Sequence, residues 1–368
     1  MTELTIPAKT AENFRLTVLN PGGRDPQQQF HRVPAPGEGG HAPTNFHAFA
    51  ACTLGAFHCN ARSAIAEDTP VFLLLRSDFR ASERAFADLK KQGRAVTVSL
   101  KETGSHQIAQ QLRDPRKLAR FMKIVGEADG CIATTPEAAE IYQRIHTKRN
   151  PSTVAFVPTP YPIEDQRWNF SVPIPEQSGI FVGTREWDVP SRNHLAALIV
   201  ARQLCEATDA PVTVTNLDGY RGRRLLSELK FPEGKLRLIE KWKSYPDYLR
   251  AIAQHKIVLQ LDRSHVPGQV AGDALLCRIP CVGGDGTIER ITFPKTCGEG
   301  RSINEIASIA ADLLKYPDLR EAIMRESQVH ARERLSFEAA RSQLAKFFAH
   351  LQGATAPWPR EPAASGSQ

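Results

Sequence analysis

Two stretches of the sequence combine charged residues with glycines in patterns that suit the binding of an anion. In "GTREWDVPSRNH", at 183–194, an apolar run ends at Gly183, and Arg185 and Arg192 precede a predicted helix. Backbone N–H groups at a helix N-terminus and bidentate guanidinium donors converge on one anion, so this stretch predicts a diphosphate site. The alternative interpretation is that both arginines lie on a solvated loop.

The second stretch, "GQVAGDALLCRIPCVGG" at 268–284, places an acidic residue, Asp273, in an otherwise apolar predicted helix. Cys277 and Cys281 follow it four residues apart, but they lie on either side of Pro280 and in different predicted elements. The chain has seven cysteines and no C-x-x-C pair. We therefore interpret the cysteines as buried reduced thiols and predict no metal site.

These stretches lie in the second of two regions where short apolar runs alternate with longer amphipathic stretches. In the first region the predicted strands are 14–20, 71–76, 95–100, 130–135 and 153–158, and the predicted helices are 44–59, 82–92, 105–125 and 136–145. In the second region the predicted strands are 179–184, 211–216, 236–241, 256–261 and 280–284, and the predicted helices are 194–207, 222–230, 245–255 and 268–277. Such alternation predicts an α/β fold with a parallel, doubly wound sheet in each region.

The composition of the remaining segments predicts the domain boundaries. Residues 158–178 hold five prolines and little periodicity, which is typical of a linker. The expected divisions are a domain at 1–160, a linker at 161–178, a second domain at 179–335, a separate amphipathic helix at 336–352 and a disordered Pro/Ser/Gly/Ala-rich tail at 353–368. Two open sheets joined by one linker leave a cleft, and ligands in such folds bind at the carboxyl ends of the strands.

The charge and hydropathy of the chain bear on its partners and location. The 368 residues carry a net charge of +7, spread along the chain, which suits nucleotide phosphates, nucleic acid or anionic lipid headgroups. The sequence contains no run of about 18 apolar residues, so it predicts no membrane span. The first residues, "MTELTIPAKTAENF", lack the basic and apolar regions of a signal peptide. We expect a cytoplasmic protein, with peripheral association at the inner face of the membrane as a further interpretation of the charge.

The second region resembles the donor-binding half of GT-B nucleotide-sugar glycosyltransferases. The resemblance is to the large, mostly retaining group whose motif has two glutamates separated by seven residues. Here "DALL" at 273–276 corresponds to the second glutamate and its Ala-apolar-apolar sequel, "PCV" at 280–282 to Pro-Val-Val, and Gly268 to the glycine at the helix start. The resemblance implies a GT-B fold, with two Rossmann-like domains facing across a cleft and a C-terminal helix that crosses back onto the first domain.

The same resemblance implies roles for donor-binding residues. Asp273 is expected to hydrogen-bond the ribose hydroxyls, because a carboxylate accepts from two adjacent hydroxyls at once. The backbone amides of Gln269 and Val270 are expected to hold the distal phosphate or the sugar.

The turn after Gly183 corresponds to the family's phosphate-binding turn, with Arg185 and Arg192 as the phosphate-binding pair and an arginine in place of the usual lysine. Lys241 and Trp242 are expected near the nucleobase. For Trp242 the alternative is ordinary domain packing.

Three positions depart from the family pattern. The second glutamate is the shorter Asp273, the first glutamate is replaced by His265, and Arg278 stands where a glycine is usual. Retaining members use the first glutamate near the donor sugar, so His265 is a further catalytic candidate at that position, and both the stereochemistry and the sugar stay open.

The first region resembles the acceptor domain mainly in its architecture. Gly39 and Gly40 come just before the first long predicted helix, and Gly22 and Gly23 directly follow the first strand. Glycines at such turns let the acceptor and the donor phosphate approach the backbone closely.

An inverting reaction would need a base to deprotonate the acceptor hydroxyl. Glu102, near the end of a predicted strand, is the first candidate, and His41 and His106 are the next. The alternative is that Glu102 and His106 form only a loop and a helix cap.

The function that follows is transfer of a sugar from a nucleoside-diphosphate sugar to an acceptor hydroxyl. The leaving diphosphate would be stabilised by Arg185, Arg192 and helix-terminus amides, without a metal and with no cofactor beyond the donor co-substrate. The acceptor could be a glycan, a lipid-linked sugar or, as in phage-type enzymes, a modified base in DNA. A non-catalytic module that binds a nucleotide or a glycan is the alternative outside enzymes. A dehydrogenase is disfavoured because no G-x-G-x-x-G follows the first strand of either region.

Overall fold

The structure, a computed structural model, describes residues 13–146, 151–184, 187 and 189–353. The first sheet has seven strands in the order β2-β3-β1-β4-β5-β6-β7, and every neighbouring pair is parallel except β2 and β3. Its strands are β1 (Thr17–Leu19), β2 (Gln28–Gln29), β3 (Ala56–His58), β4 (Val71–Leu75), β5 (Val96–Leu100), β6 (Gly130–Ala133) and β7 (Val154–Phe156). The helices of this half are α1 (Asn45–Cys52), α2 (Ala61–Ala66), α3 (Arg80–Lys91), α4 (Ser105–Leu112), α5 (Pro115–Glu127) and α6 (Pro136–Ile145).

The central strands of this sheet are buried on both faces, which is why β4 appears in the sequence as a continuous apolar run. All residues of β4 and β5 are buried, and the two strands pair from Val71 with Val96 to Leu75 with Leu100. The apolar residues of α3, α5 and α6 cover one face, and those of α1 cover the other.

The predicted helix at 44–59 is wrong in its second half. Helix α1 ends at Cys52, and Ala56 begins β3, which pairs with β1. Gly55 makes this possible, since a Cβ there would lie 2.1 Å from the carbonyl oxygen of Leu16. The backbone at Gly55 therefore lies directly against the backbone of Leu16, the residue before β1, and a continuing helix would not fit there.

The predicted helix at 105–125 is two helices, α4 and α5. The break lies at Asp114, whose side chain accepts hydrogen bonds from the backbone N–H groups of Arg116 (2.7 Å) and Lys117 (3.3 Å). Pro115 occupies the first turn of α5, a position that needs no N–H donor.

The second sheet has five parallel strands in the order β10-β9-β8-β11-β12. Its strands are β8 (Ile180–Val182), β9 (Val212–Thr215), β10 (Leu236–Ile239), β11 (Ile257–Leu259) and β12 (Cys281–Val282). The helices that follow β8 along the chain are α7 (His194–Thr208), α8 (Tyr220–Leu229), α9 (Tyr245–Ala253), α10 (Gln269–Cys277), α11 (Thr287–Thr292), α12 (Ile303–Lys315), α13 (Pro317–Leu335) and α14 (Phe337–Gly353). The predicted strands and helices of this half are confirmed, and α11 is an addition.

The last helix returns to the first half of the molecule. Apolar residues of α14, among them Leu344 and Phe348, belong to the same core as those of α1. At the start of this return, the backbone N–H of Tyr161 donates to the carbonyl of Leu335 over 2.8 Å, so the two connections between the halves lie side by side. The predicted crossing of the C-terminal helix is confirmed, while the tail predicted beyond Gly353 lies outside the described residues.

All seven cysteines have free thiols, and six of them are buried. Among the described residues, no group of three or more His, Cys, Asp or Glu side chains is arranged to hold a metal ion. Within the same residues, no helix combines the length and the apolar character needed to cross a membrane.

Candidate functional site

A cavity of about 260 Å³ lies between the two sheets, at the ends of strands from both halves. Its lining includes Lys101 and Glu102, which follow β5, and Gly183 and Thr184, which follow β8. Parallel sheets bind ligands at the carboxyl ends of their strands, and this cavity lies where two such edges face each other.

The head of α10 forms one wall of the cavity. Gly268 precedes the helix with φ of 94°, in the left-handed region that favours glycine. Gln269 and Val270 line the cavity, and the first N–H groups of a helix have no partner within it. Gly183 faces them closely, since a Cβ there would lie 2.4 Å from Cγ1 of Val270.

Asp273 lines the cavity one turn further along α10 and is 1% exposed. Its Oδ1 accepts a hydrogen bond from the hydroxyl of Tyr245 over 2.5 Å. Burial, followed by the charge of Asp273, raises the pKa of that tyrosine well above its ordinary value. The acid in the apolar helix is thus held by a phenol that remains a donor at physiological pH.

Arg192 lies at the same cavity, at the end of the short 3₁₀ turn Pro190–Arg192. Its guanidinium pairs with Asp262, which is 2% exposed and follows β11. Asp262 also accepts from the backbone N–H of Ser264 over 2.8 Å. The carboxylate therefore orients the arginine; Arg185, its predicted companion, lies outside the described residues.

Sequence reasoning missed Glu289, a cavity residue on α11 that is 1% exposed. Its Oε1 accepts from the side-chain amide of Gln260, and its Oε2 has no hydrogen-bond partner among the described residues. A Cβ at Gly268 would lie 2.2 Å from this Oε2, and one at Gly286 would lie 2.4 Å from it, so the carboxyl sits against two glycines.

Burial raises the pKa of Glu289 to about 8, and the charges of Asp262 and Asp285 contribute. The group is therefore mainly protonated at neutral pH and can donate as well as accept a hydrogen bond. The only signal for it in the sequence is a glutamate that closely follows the glycine cluster "GGDG" at 283–286.

His265, which replaces the first glutamate of the family motif, does not line the cavity. It has φ of 48°, and its Nδ1 lies 3.5 Å from the hydroxyl of Ser105 in the other half. The backbone N–H of Ser105 also donates to the carbonyl of Ser264 over 2.7 Å. On its other side, Nε2 of His265 lies 3.4 Å from Asp285. The histidine thus lies at a contact between the two halves.

The acceptor-side candidates are more dispersed. Glu102 lines the cavity and is exposed, and its Oε2 accepts from the side-chain amide of Gln107 over 3.4 Å. His106 is exposed on α4 and does not line the cavity. His41 stacks on the ring of His47 at 4.1 Å, also away from the lining.

The four predicted glycines lie at turns outside the cavity lining. Gly22 and Gly40 have φ of 68° and 96°, and the carbonyl of Gly22 accepts from Arg76 over 3.3 Å. A Cβ at Gly23 would lie 2.3 Å from the side chain of Asn20, whereas one at Gly39 would meet nothing within 4 Å.

Lys241 and Trp242 line a second cavity of about 150 Å³, which also contains Tyr245. Trp242 is 79% exposed, which disfavours the interpretation that it packs a domain core. Because the hydroxyl of Tyr245 binds Asp273, this residue links the second cavity to the first.

Comparison with known proteins gives the fold. No family model matches the chain, and no curated protein matches it in sequence. The structure of HepE from Anabaena in complex with UDP is similar, with a TM-score of 0.57 and 13% identity, over 79% of this chain and 80% of that chain. A UDP-forming trehalose-phosphate synthase from Burkholderia xenovorans in complex with glucose-6-phosphate has a TM-score of 0.59 and 13% identity, over 80% of this chain and 75% of that chain.

The chain has the GT-B fold. A Listeria monocytogenes protein assigned as a UDP-N-acetylglucosamine 2-epimerase is also similar, with a TM-score of 0.52 and 15% identity, over 80% of this chain and 78% of that chain. The similar structures thus include a UDP-forming synthase and a protein assigned as an epimerase, and the fold alone does not select the reaction.

Proposed function

We propose that the chain transfers a sugar from a nucleoside-diphosphate sugar to an acceptor hydroxyl. The observation that carries the proposal is the single cavity that joins the head of α10, Arg192 and Asp273 on one side to Lys101 and Glu102 on the other. One side offers groups for a diphosphate and a ribose, and the other offers a cation and a carboxylate. The UDP complex of HepE supports a nucleoside diphosphate as the ligand.

In this proposal the diphosphate binds at the first-turn amides of α10, with Arg192 as the cation. These donors are fixed before the reaction and face the atoms on which negative charge grows as the sugar leaves. Asp273 accepts from the ribose hydroxyls, and the nucleobase lies against Trp242. No metal is required for this arrangement, because the guanidinium and the amides stabilise the leaving group.

Glu102 is the proposed base of an inverting transfer. The acceptor oxygen bonds to the anomeric carbon, the bond from that carbon to the diphosphate breaks, and the acceptor proton moves to Glu102. The exposure of this carboxylate at the edge of the cavity suits a role on an acceptor that enters from solvent. Glucose-6-phosphate in the similar synthase supports a sugar acceptor.

The test is the release of nucleoside diphosphate by the purified chain from a panel of UDP-, GDP- and ADP-sugars. Each donor is first screened by thermal shift, since a ligand at 100 times its Kd stabilises the fold by about 2.7 kcal/mol. Bound donors are then supplied with a glycan, a lipid-linked sugar or DNA with a hydroxymethylated base, with and without EDTA.

We expect release that depends on one class of acceptor and continues in EDTA. Conversion of the donor into its epimer without release would contradict transfer and favour epimerisation. Donor binding without release for any acceptor would favour a binding module, and the absence of any nucleotide shift would contradict the donor site itself.

A further inference from the structure

A groove of about 680 Å³ lies on the C-terminal half, away from the cleft. One wall is the segment 169–177, and the other is α13; Arg278, at the end of α10, lies between them. The cleft lies at the head of α10 and this groove at its tail, so about 13 Å of helix separates the two. We call it the arginine groove.

Four arginines and one glutamate line the arginine groove, which gives it a net charge of +3. The arginines are Arg278, Arg320, Arg325 and Arg332, and the acid is Glu321. Glu321 lies 3.7 Å from Arg325. For Arg278, Arg320 and Arg332, no acidic side chain lies within ion-pair distance in the part of the chain that the structure describes.

Arg278 is built into this position at a conformational cost. It ends α10 with φ of 56°, where glycine is the common residue because a side chain is disfavoured there. Its guanidinium donates to the side-chain oxygen of the buried Gln328, whose amide donates in turn to the carbonyl of Leu275 over 3.0 Å. Burial, followed by repulsion from the positive charge of Arg332, lowers the pKa of Arg278.

Arg320 is a second guanidinium of the arginine groove that is held in a buried position. It is 4% exposed, and its Nη1 donates to the carbonyl of Leu313 over 2.7 Å. Its Nε has no hydrogen-bond partner among the described residues. Burial lowers the pKa of Arg320, while the charge of Glu321 opposes this shift. An anion in the groove would stabilise this buried guanidinium further.

The remaining lining residues are largely apolar and include Val172, Ile174, Met324 and Val329. A free inorganic anion would leave these side chains uncovered, whereas a phosphate on an apolar body would cover them and meet the guanidinium groups at once. We propose that the arginine groove binds a phosphate or diphosphate group attached to an apolar chain.

The experiment measures binding of dodecyl phosphate, as a monomer, and of inorganic phosphate to the full chain by calorimetry. We expect wild type to bind dodecyl phosphate, and R278G/R332A to bind it at least about tenfold more weakly, because charge-assisted hydrogen bonds are lost. R334A, a charge change on the exposed surface of the same helix outside the groove, is the matched control and should bind as wild type does.

If R278G unfolds the chain, R325A/R332A carries the test, since both of these side chains are exposed. Equal binding by wild type and the groove variants, equal loss in R334A, or equal affinity for phosphate and dodecyl phosphate would each overturn the proposal. Phosphatidylcholine vesicles with and without phosphatidylglycerol identify the source. Groove-dependent binding to the anionic vesicles would indicate a membrane lipid, and groove-dependent binding of the monomer alone would indicate a free phosphorylated amphiphile.

Discussion

The two faces of the cleft differ in how firmly their acidic side chains are held. On the C-terminal face, Asp262, Asp273 and Glu289 are at most 2% exposed, and each has a hydrogen-bond partner. On the N-terminal face, Glu102 is exposed. A buried carboxylate is costly unless it is paired, so the carboxyl groups of the C-terminal face are held in place before a ligand arrives, whereas that of Glu102 can adjust to what enters from solvent.

This difference indicates a division of labour. The fixed face suits the part of the reaction that is common to many enzymes, which is holding a nucleoside diphosphate. The exposed face suits the part that varies, which is the acceptor. Four predictions test this comparison.

The largest effect is expected at the exposed face. E102Q should lower kcat by about 100- to 1000-fold, because general-base catalysis contributes on this order. The affinity for UDP should stay unchanged, since Glu102 is proposed to contact only the acceptor. Steady-state release of nucleoside diphosphate and a UDP titration measure the two quantities. H106Q is the control and should be fully active; loss of activity in H106Q but not in E102Q would reassign the base.

The next effect is expected at the fixed face. D273N should weaken UDP binding by roughly 100-fold, or about 2.7 kcal/mol, because charge-assisted hydrogen bonds to the ribose become neutral ones. Calorimetric titration with UDP measures this. The matched control is D247N, an exposed aspartate on α9. Wild-type affinity for UDP in D273N would contradict the proposed hydrogen bonds between the ribose and Asp273.

The third prediction concerns stability and pH at Glu289 rather than binding or rate. Its ordinary pKa is 4.5 and its folded pKa is about 8, so between these values the folded state holds a proton that the unfolded state has lost. The free energy of unfolding should therefore fall as pH rises through this window, by up to about 1.4 kcal/mol per unit. E289Q should lose this contribution, as measured by urea unfolding from about pH 5 to pH 8.

The difference between wild type and E289Q isolates Glu289 from other titrating groups. Burial lowers the pKa of both His47 and His194 to about 4, so these residues make stability rise with pH below about 6.5. They are present in both proteins and cancel in the difference. Parallel curves for the two proteins would show that the carboxyl of Glu289 titrates near its ordinary value.

The smallest effect is expected at Trp242. W242A should weaken UDP binding by about fivefold, or about 1 kcal/mol, because an exposed aromatic ring stacks on a base without being enclosed. W242F should retain most of the affinity, and the stability of both variants should match that of wild type. A UDP titration with parallel thermal unfolding tests this, and unchanged affinity in W242A would move the base elsewhere.

The sequence was informative where one local pattern determines the structure. Strands such as β4 are buried on both faces and stand out as apolar runs, and the motif around Asp273 follows one strand and one helix. No local sequence pattern signals the contact between Gly55 and Leu16, because the two residues lie almost forty positions apart in the chain. The helix predicted at 44–59 therefore wrongly includes the residues of β3.

The candidate site shows the same limit. The role of Glu289 depends on α11, a helix of six residues, lying beneath the glycine at the head of α10. Asp262 acquires its role by meeting Arg192, seventy residues earlier in the chain. Neither contact produces a periodic pattern in the sequence, so neither could be predicted from the spacing of residues.

The two connections between the halves are joined where they pass each other, because the backbone N–H of Tyr161 donates to the carbonyl of Leu335. Tyr161 also lies against α10, where a Cβ at Gly272 would be 2.1 Å from its ring. Because Tyr161 contacts both this crossing point and α10, we expect a donor at the head of α10 to bring the two halves closer together, and small-angle X-ray scattering should record a smaller radius of gyration with UDP than without it.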